Sequence, residues 1–285
     1  MTNPPPPGTH QLAVSGTRLA VHTAGSGIPL ILLHAFPLDH SMWALQEPLA
    51  EQVRLIVPDL RGFGASDWAL PESIAAWADD VVAILDTLHV SGPAVVCGIS
   101  MGGYVAQHIA ARHPERVAAL ILVDTRLEAD TPPAQAGRAD LAAKVGRLGL
   151  GILADAMVPR LLADSAETRA APGRADLESR LRSLIMAQRV EAVQTALAAL
   201  GMRPDMTEAM RRLRIPALLV GGAEDAITPP ECLRAAAAIM PGAKLLIVPA
   251  AGHLVPLEQP EVFNAAVLEF LRELPEERLR AAVGA

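Results

Sequence analysis

Six short, unbroken apolar runs recur along the chain, at residues 30–33, 55–57, 94–99, 120–123, 217–220 and 245–248. A strand with one face in water alternates apolar and polar side chains, so an unbroken run means burial on both faces. A mostly parallel sheet covered by helices on either side meets that condition. Between the runs, helical periodicity is legible over residues 41–52, 73–88, 101–113, 230–240 and 260–274, several of these segments opening on Ser or Pro. The alternation of strand and helix predicts an α/β fold with a mostly parallel central sheet flanked by helices. A hairpin precedes it, with apolar and polar residues alternating at 12–15 and 19–22 around Gly16-Thr17.

One stretch breaks the alternation. Between residues 124 and 215, about ninety residues contain no strand-like run, only amphipathic patterns such as Leu141, Val145, Leu148 and Ile152, or Leu177, Leu181, Leu184 and Ile185. A crossover helix needs about a third of that length. Residues 126–212 are therefore predicted to form an inserted helical cap, with residues 10–125 and 213–285 forming the core. Residues 1–9, with Pro4 to Pro7 in succession, read as a disordered tail.

Composition excludes several classes of function. Acidic residues outnumber basic ones by 31 to 24, a formal charge of −7 with no Lys/Arg run against it, so nucleic acid is not an expected partner. The N-terminus has neither the basic start nor the apolar stretch of a targeting peptide, and no apolar run approaches the roughly 18 residues of a membrane span. Two cysteines, Cys97 and Cys232, are too few for a disulfide framework and lack metal-ligand spacing, which fits a cytoplasmic protein. Cys97, flanked by Val95, Val96 and Ile99, reads as a small core residue. Gly62-Phe63-Gly64 lacks the third glycine of a dinucleotide fingerprint, and neither a phosphate-binding G-x-x-x-x-G-K loop nor an H-E-x-x-H zinc pair occurs, so no cofactor and no metal are implied.

The chemistry points to Gly98-Ile99-Ser100-Met101-Gly102-Gly103, which lies between an apolar run and a helical pattern. G-x-S-x-G in that setting is a nucleophile elbow, a strained strand-to-helix turn that lifts the serine hydroxyl clear of the sheet. A serine nucleophile needs a base, and His253 follows the last run; His89, His108 and His113 fall on helices instead. Asp225 and Glu224 both follow the run at 217–220 and compete to orient the base, while Asp124 reads as a turn or cap residue. An oxyanion would need backbone donors, each worth roughly 3 kcal/mol. Met101, directly after the serine, supplies one; Phe36 supplies the other, because Pro37 has no N–H.

His34-Ala35-Phe36-Pro37, Asp59-Leu60-Arg61-Gly62-Phe63-Gly64-Ala65-Ser66, the elbow, Asp225 and Gly252-His253 together resemble the α/β-hydrolase superfamily. Within it the chain is similar to small capped esterases and lactonases grouped with 3-oxoadipate enol-lactonases, pimeloyl-carrier esterases and cofactor-free haloperoxidases. The resemblance covers about residues 10 to 273. It implies a triad of Ser100, Asp225 and His253 acting on a small ester or lactone with water, and it places the acid at Asp225 rather than Glu224. C–C bond hydrolysis or cofactor-free perhydrolysis on the same triad are the alternatives, with a non-catalytic receptor behind them. Ala35 stands where such relatives usually carry Gly, and its methyl group bears on where the Phe36 N–H sits.

The substrate pocket is expected to take His34, Trp43, Trp68 and Leu254 from below. The cap segment contains no Phe, Tyr or Trp and so presents an aliphatic roof. Arg126, Arg138, Arg147 and Arg160 are available to meet a substrate carboxylate, but arginines on helices are mostly solvated, so a neutral ester is the expectation.

Overall fold

The computed structural model describes residues 7–70 and 73–278. Eight strands, β1 (Gly8–Val14), β2 (Thr17–Ala24), β3 (Ile28–Leu33), β4 (Val53–Pro58), β5 (Ala94–Ile99), β6 (Val117–Val123), β7 (Ala217–Gly222) and β8 (Lys244–Val248), form one sheet in the order β1-β2-β4-β3-β5-β6-β7-β8. β2 is antiparallel to β1 and β4, and every other pairing is parallel. Every residue of β5, β6 and β7 is buried, as an unbroken apolar run requires of a central strand.

Two expectations need correction at the edges. The run at 245–248 is not buried on both faces: β8 closes the sheet, has a neighbour on one side only, and leaves Leu245 37% exposed. At the other edge, β1 begins at Gly8, paired with Thr23, so residues 8 and 9 belong to the hairpin rather than to a tail. Of the rest of that predicted tail, residues 1–6 lie outside the described residues.

Helices α1 (Ile74–Thr87) and α2 (Met101–Arg112) follow β4 and β5. Ser73 caps α1 by accepting from the Ala76 N–H at 3.0 Å. The segment predicted as a helix at 41–52 is a 3-10 helix, His40–Glu51, with Pro48 inside it. Arg61 forms a buried ion pair with Asp80, Nε to Oδ2 at 2.8 Å, while its carbonyl accepts from Trp77 Nε1. Burial pushes the Cys97 thiol pKa far up, which leaves it an inert core residue.

Between β6 and β7 the chain forms only helices among the described residues: α3 (Pro132–Leu148), α4 (Gly151–Leu161), α5 (Ala166–Arg169), α6 (Arg174–Met186), α7 (Val190–Gly201) and α8 (Thr207–Arg212). Their buried stripes, including Val145, Leu153, Leu181, Ile185 and Leu197, join the main core. Helices α9 (Pro230–Ile239), α10 (Val255–Glu258) and α11 (Pro260–Arg272) complete the fold. No helix among the described residues is long and apolar enough to cross a membrane.

Candidate active site

Ser100 sits between β5 and α2 with φ 51° and ψ −112°, a left-handed conformation that side chains rarely adopt. Close packing holds it there. A Cβ on Gly98 would overlap the Gly102 carbonyl, and one on Gly102 would overlap the Leu33 carbonyl, so neither position has room for a side chain. The Ser100 N–H donates to Val123 at 2.9 Å, and its carbonyl accepts from Thr125 Oγ1 at 3.0 Å. These contacts anchor the turn to β6 and leave the side chain on a cavity wall.

His253 opens on that same cavity from the loop between β8 and α10. Its Nδ1 lies 2.8 Å from Asp225 Oδ2. Asp225 also accepts from the N–H groups of Ile227 (2.7 Å) and Thr228 (2.9 Å) and from Thr228 Oγ1 (2.5 Å). Burial by itself would raise the Asp225 pKa; the facing His253 and the Thr228 hydrogen bonds outweigh it and hold the carboxyl below the usual range. Glu224 turns elsewhere, accepting from the backbone of Asp164 and Ser165. Asp124 is fully buried; its carboxyl accepts from Gly222 N–H at 2.8 Å and Val255 N–H at 3.3 Å, so it bridges the loops carrying Asp225 and His253.

The cavity measures about 410 Å³. Phe36 lines it beside Ser100, and Met101 opens α2, where a first-turn N–H has no partner inside the helix. Leu141 of α3, Met157 of α4 and Leu197 and Leu200 of α7 also line it with aliphatic side chains. A larger cavity of about 470 Å³ lies between α6 and α10 and contains neither Ser100 nor His253.

The other residues expected in the pocket stand away from it. His34 is fully buried; its Nε2 accepts from Leu60 N–H at 3.0 Å while Nδ1 meets the Ala35 carbonyl, and burial lowers its pKa, so it pins the loop ahead of Phe36 as a neutral ring. Trp43 packs against α11, its ring 5.9 Å from that of Phe263. Trp68 is 40% exposed, because Asp67 N–H bonds the Arg18 carbonyl and carries the chain outward to the sheet edge. Leu254 is fully buried as the N-cap residue of α10.

Charge enters instead through Arg126, Arg138 and Arg160, which line the cavity with Asp130; Arg147 is exposed on α3. Arg138 and Arg203 both bind Asp130, the second at 2.7 Å, and Arg203 lies 4.3 Å over the Tyr104 ring. Arg126 and Arg160 reach only main-chain carbonyls, Ile227 at 2.7 Å and Ala226 at 3.5 Å, and neither pairs with a carboxylate among the described residues. Thr228, absent from the sequence reading, was signalled by Asp225-Ala226-Ile227-Thr228, an Asx-type turn in which the hydroxyl can return to the carboxylate. The insertion residues lining the cavity carried no such signal, since helical spacing does not say which stripe faces a ligand.

One group of metal-type side chains converges among the described residues, Asp39, His40 and Asp59. Asp59 Oδ1 already accepts from His40 N and Nδ1, and Oδ2 from Ala65 N–H, so the cluster locks two turns together.

A model of the alpha/beta hydrolase family matches residues 30–266. The chain is 35% identical to a pimeloyl-[acyl-carrier protein] methyl ester esterase from Chromobacterium violaceum, over 89% of this chain and 98% of that protein. Among solved structures it resembles a thermophilic esterase from Thermogutta terrifontis (38% identity, TM-score 0.88, 93% of this chain and 98% of that one). It also resembles the enol-lactonase from Burkholderia xenovorans LB400 (28% identity, TM-score 0.85, 93% and 100%). With a family match over most of its length and a parallel sheet whose central strand ends in a serine elbow, the chain belongs to the alpha/beta hydrolase family.

Proposed function

We propose that the protein is a serine hydrolase that cleaves a small carboxylic ester or lactone through an acyl-enzyme on Ser100. The observation that carries this reading is that Ser100 and His253 face one cavity while Asp225 holds the far nitrogen of His253 at 2.8 Å. Asp225 fixes the imidazole with its proton on Nδ1, so Nε2 accepts the Ser100 proton as the hydroxyl attacks and returns it to the leaving group. The Met101 and Phe36 N–H groups receive the developing oxyanion. Water then attacks the acyl-enzyme by the same proton path. Residues 126–212 act as a lid that supplies the cavity's aliphatic wall. Labelling with a fluorophosphonate, followed by mass spectrometry, is expected to modify Ser100, and Ser100→Ala to abolish turnover of p-nitrophenyl butyrate; an active Ser100→Ala variant overturns the reading.

The cavity walls favour a substrate with an anionic end over the neutral ester expected from sequence. Three guanidiniums and one carboxylate line it, and that carboxylate already binds Arg138 and Arg203. Arg126 keeps Nε and Nη1 without a protein partner among the described residues. A guanidinium presented in this way suits a carboxylate bidentately. Monomethyl glutarate is expected to exceed methyl pentanoate in kcat/KM by about tenfold or more, equivalent to about 1.4 kcal/mol. Arg126→Gln is expected to shrink that ratio. Equal turnover of the two esters overturns the charge preference and leaves the triad assignment standing.

A further inference from the structure

Between α4 and α5 the insertion lays a strap, residues 161–165, across the loops that carry Asp225 and His253. Leu162 is 2% exposed and Ala163 fully buried, so this is packed backbone. The His253 N–H donates to the Leu161 carbonyl at 3.0 Å. Glu258 takes two donors at once: Gly252 N–H on Oε1 at 2.8 Å and Ala163 N–H on Oε2 at 2.7 Å. Glu224, next to Asp225 in the chain, accepts from Asp164 and Ser165 at 3.1 and 2.8 Å. Gly252 lies so near that a Cβ there would overlap the Ala163 backbone nitrogen.

We propose that Glu258 is a positioning residue for His253: one carboxylate grips the amide directly before the base and an amide of the insertion's strap, so the base is set only when the strap is seated. The chemistry of the two donors calls for an ionised carboxylate, since each oxygen faces an N–H and neither has a proton to spare. Burial raises the Glu258 pKa, with the hydrogen bonds and Arg174 opposing that shift, so the group stands where a neutral side chain would escape a desolvation cost. The link reaches the substrate. Met157 and Arg160, on the last turns of α4, line the cavity, and α4 ends at Leu161, whose carbonyl holds His253. A ligand pressing on α4 therefore acts on the strap, and the strap on the base.

This rests on His253 being the general base, which is read separately: His253→Ala should abolish fluorophosphonate labelling of Ser100, and unchanged labelling removes that assignment. Glu258→Gln turns an N–H₂ toward one of the two donors. In a folded Glu258→Gln protein, kcat on p-nitrophenyl butyrate should fall about tenfold or more while KM stays within about threefold, because a base displaced by a fraction of an ångström costs rate more than binding. A purely structural role would lower the melting temperature and leave kcat intact, and that result overturns the proposal. Should the variant fail to fold, amide exchange by NMR in the wild-type protein decides: Ala163 and Gly252 sharing one opening rate supports the shared grip, and rates differing by about tenfold or more refute it.

Discussion

Asp124 closes β6 in the left-handed region, with φ 41°, and spends its carboxyl on the backbone of two loops. Burial raises its pKa well above the ordinary carboxylate value, and the nearby Asp225 charge adds to the shift. A folded-state pKa above the unfolded one means that the folded protein holds this proton to a higher pH than the unfolded chain does. The stability this provides is full below the unfolded value of about 4 and is lost as pH rises through the folded value. Asp124→Asn removes the titration, so its melting temperature relative to wild type should climb from pH 4 to pH 8; a difference that does not change with pH refutes this. Asp225 stands in the opposite case, held low by His253 and Thr228. Asp225→Asn keeps the shape but loses the preference for a proton on Nδ1, and kcat should fall by about 10³ to 10⁴. Removing the Thr228 hydroxyl leaves Asp225 both backbone donors, and the loss should be far smaller.

At the scale of elements, the close approach of α2 to β3 sets the elbow. Gly102→Ala would force its methyl against the Leu33 carbonyl, and moving α2 away would carry the Met101 N–H from the loop that presents Phe36. The expected result is a lower melting temperature together with a fall in kcat beyond tenfold, roughly what one displaced oxyanion donor costs. Unchanged kinetics would show that the approach is not what sets the donor. These elements were legible in the sequence because each rests on a local steric demand: unbroken apolar runs for buried strands, glycines two before and two after Ser100, and acidic and imidazole groups just past strand ends. Trp43 and Trp68 were not, because the face a loop or 3-10 turn shows to the pocket depends on distant partners such as Phe263 and Arg18. The same holds for Arg126 and Arg160, held inward by carbonyls of the Asp225 loop that no helical pattern announces. Ala35, in place of the expected Gly, is buried without exposure, and its N–H lies 3.3 Å from Met42 Sδ.

Across the whole molecule, charge is divided: the chain carries −7 formally, while the cavity lining carries three guanidiniums and one carboxylate. An anionic substrate is thus repelled at long range and attracted only at the mouth. Raising ionic strength to about 0.5 M, which screens the long-range repulsion more than the enclosed contact, should lower KM for monomethyl glutarate and leave that for methyl pentanoate nearly unchanged. A parallel response of the two esters would count against the division. The run of helices between β6 and β7 has a further consequence. It leaves the sheet after β6 and returns at β7, and these strands are direct neighbours, Leu120 beside Ala217 and Val123 beside Val220. Because its two ends lie on neighbouring strands, exchange of this segment for a relative's is expected to leave the β6–β7 pairing intact. Any donor helices must still bring a short run of backbone that offers one carbonyl to the histidine loop and amides to Glu258 and Glu224. Exchange of substrate preference between relatives is then a grafting problem whose seams include residues 161–165, Arg180 against the Ser41 carbonyl, and Gln188 against Gly64 and Asp39.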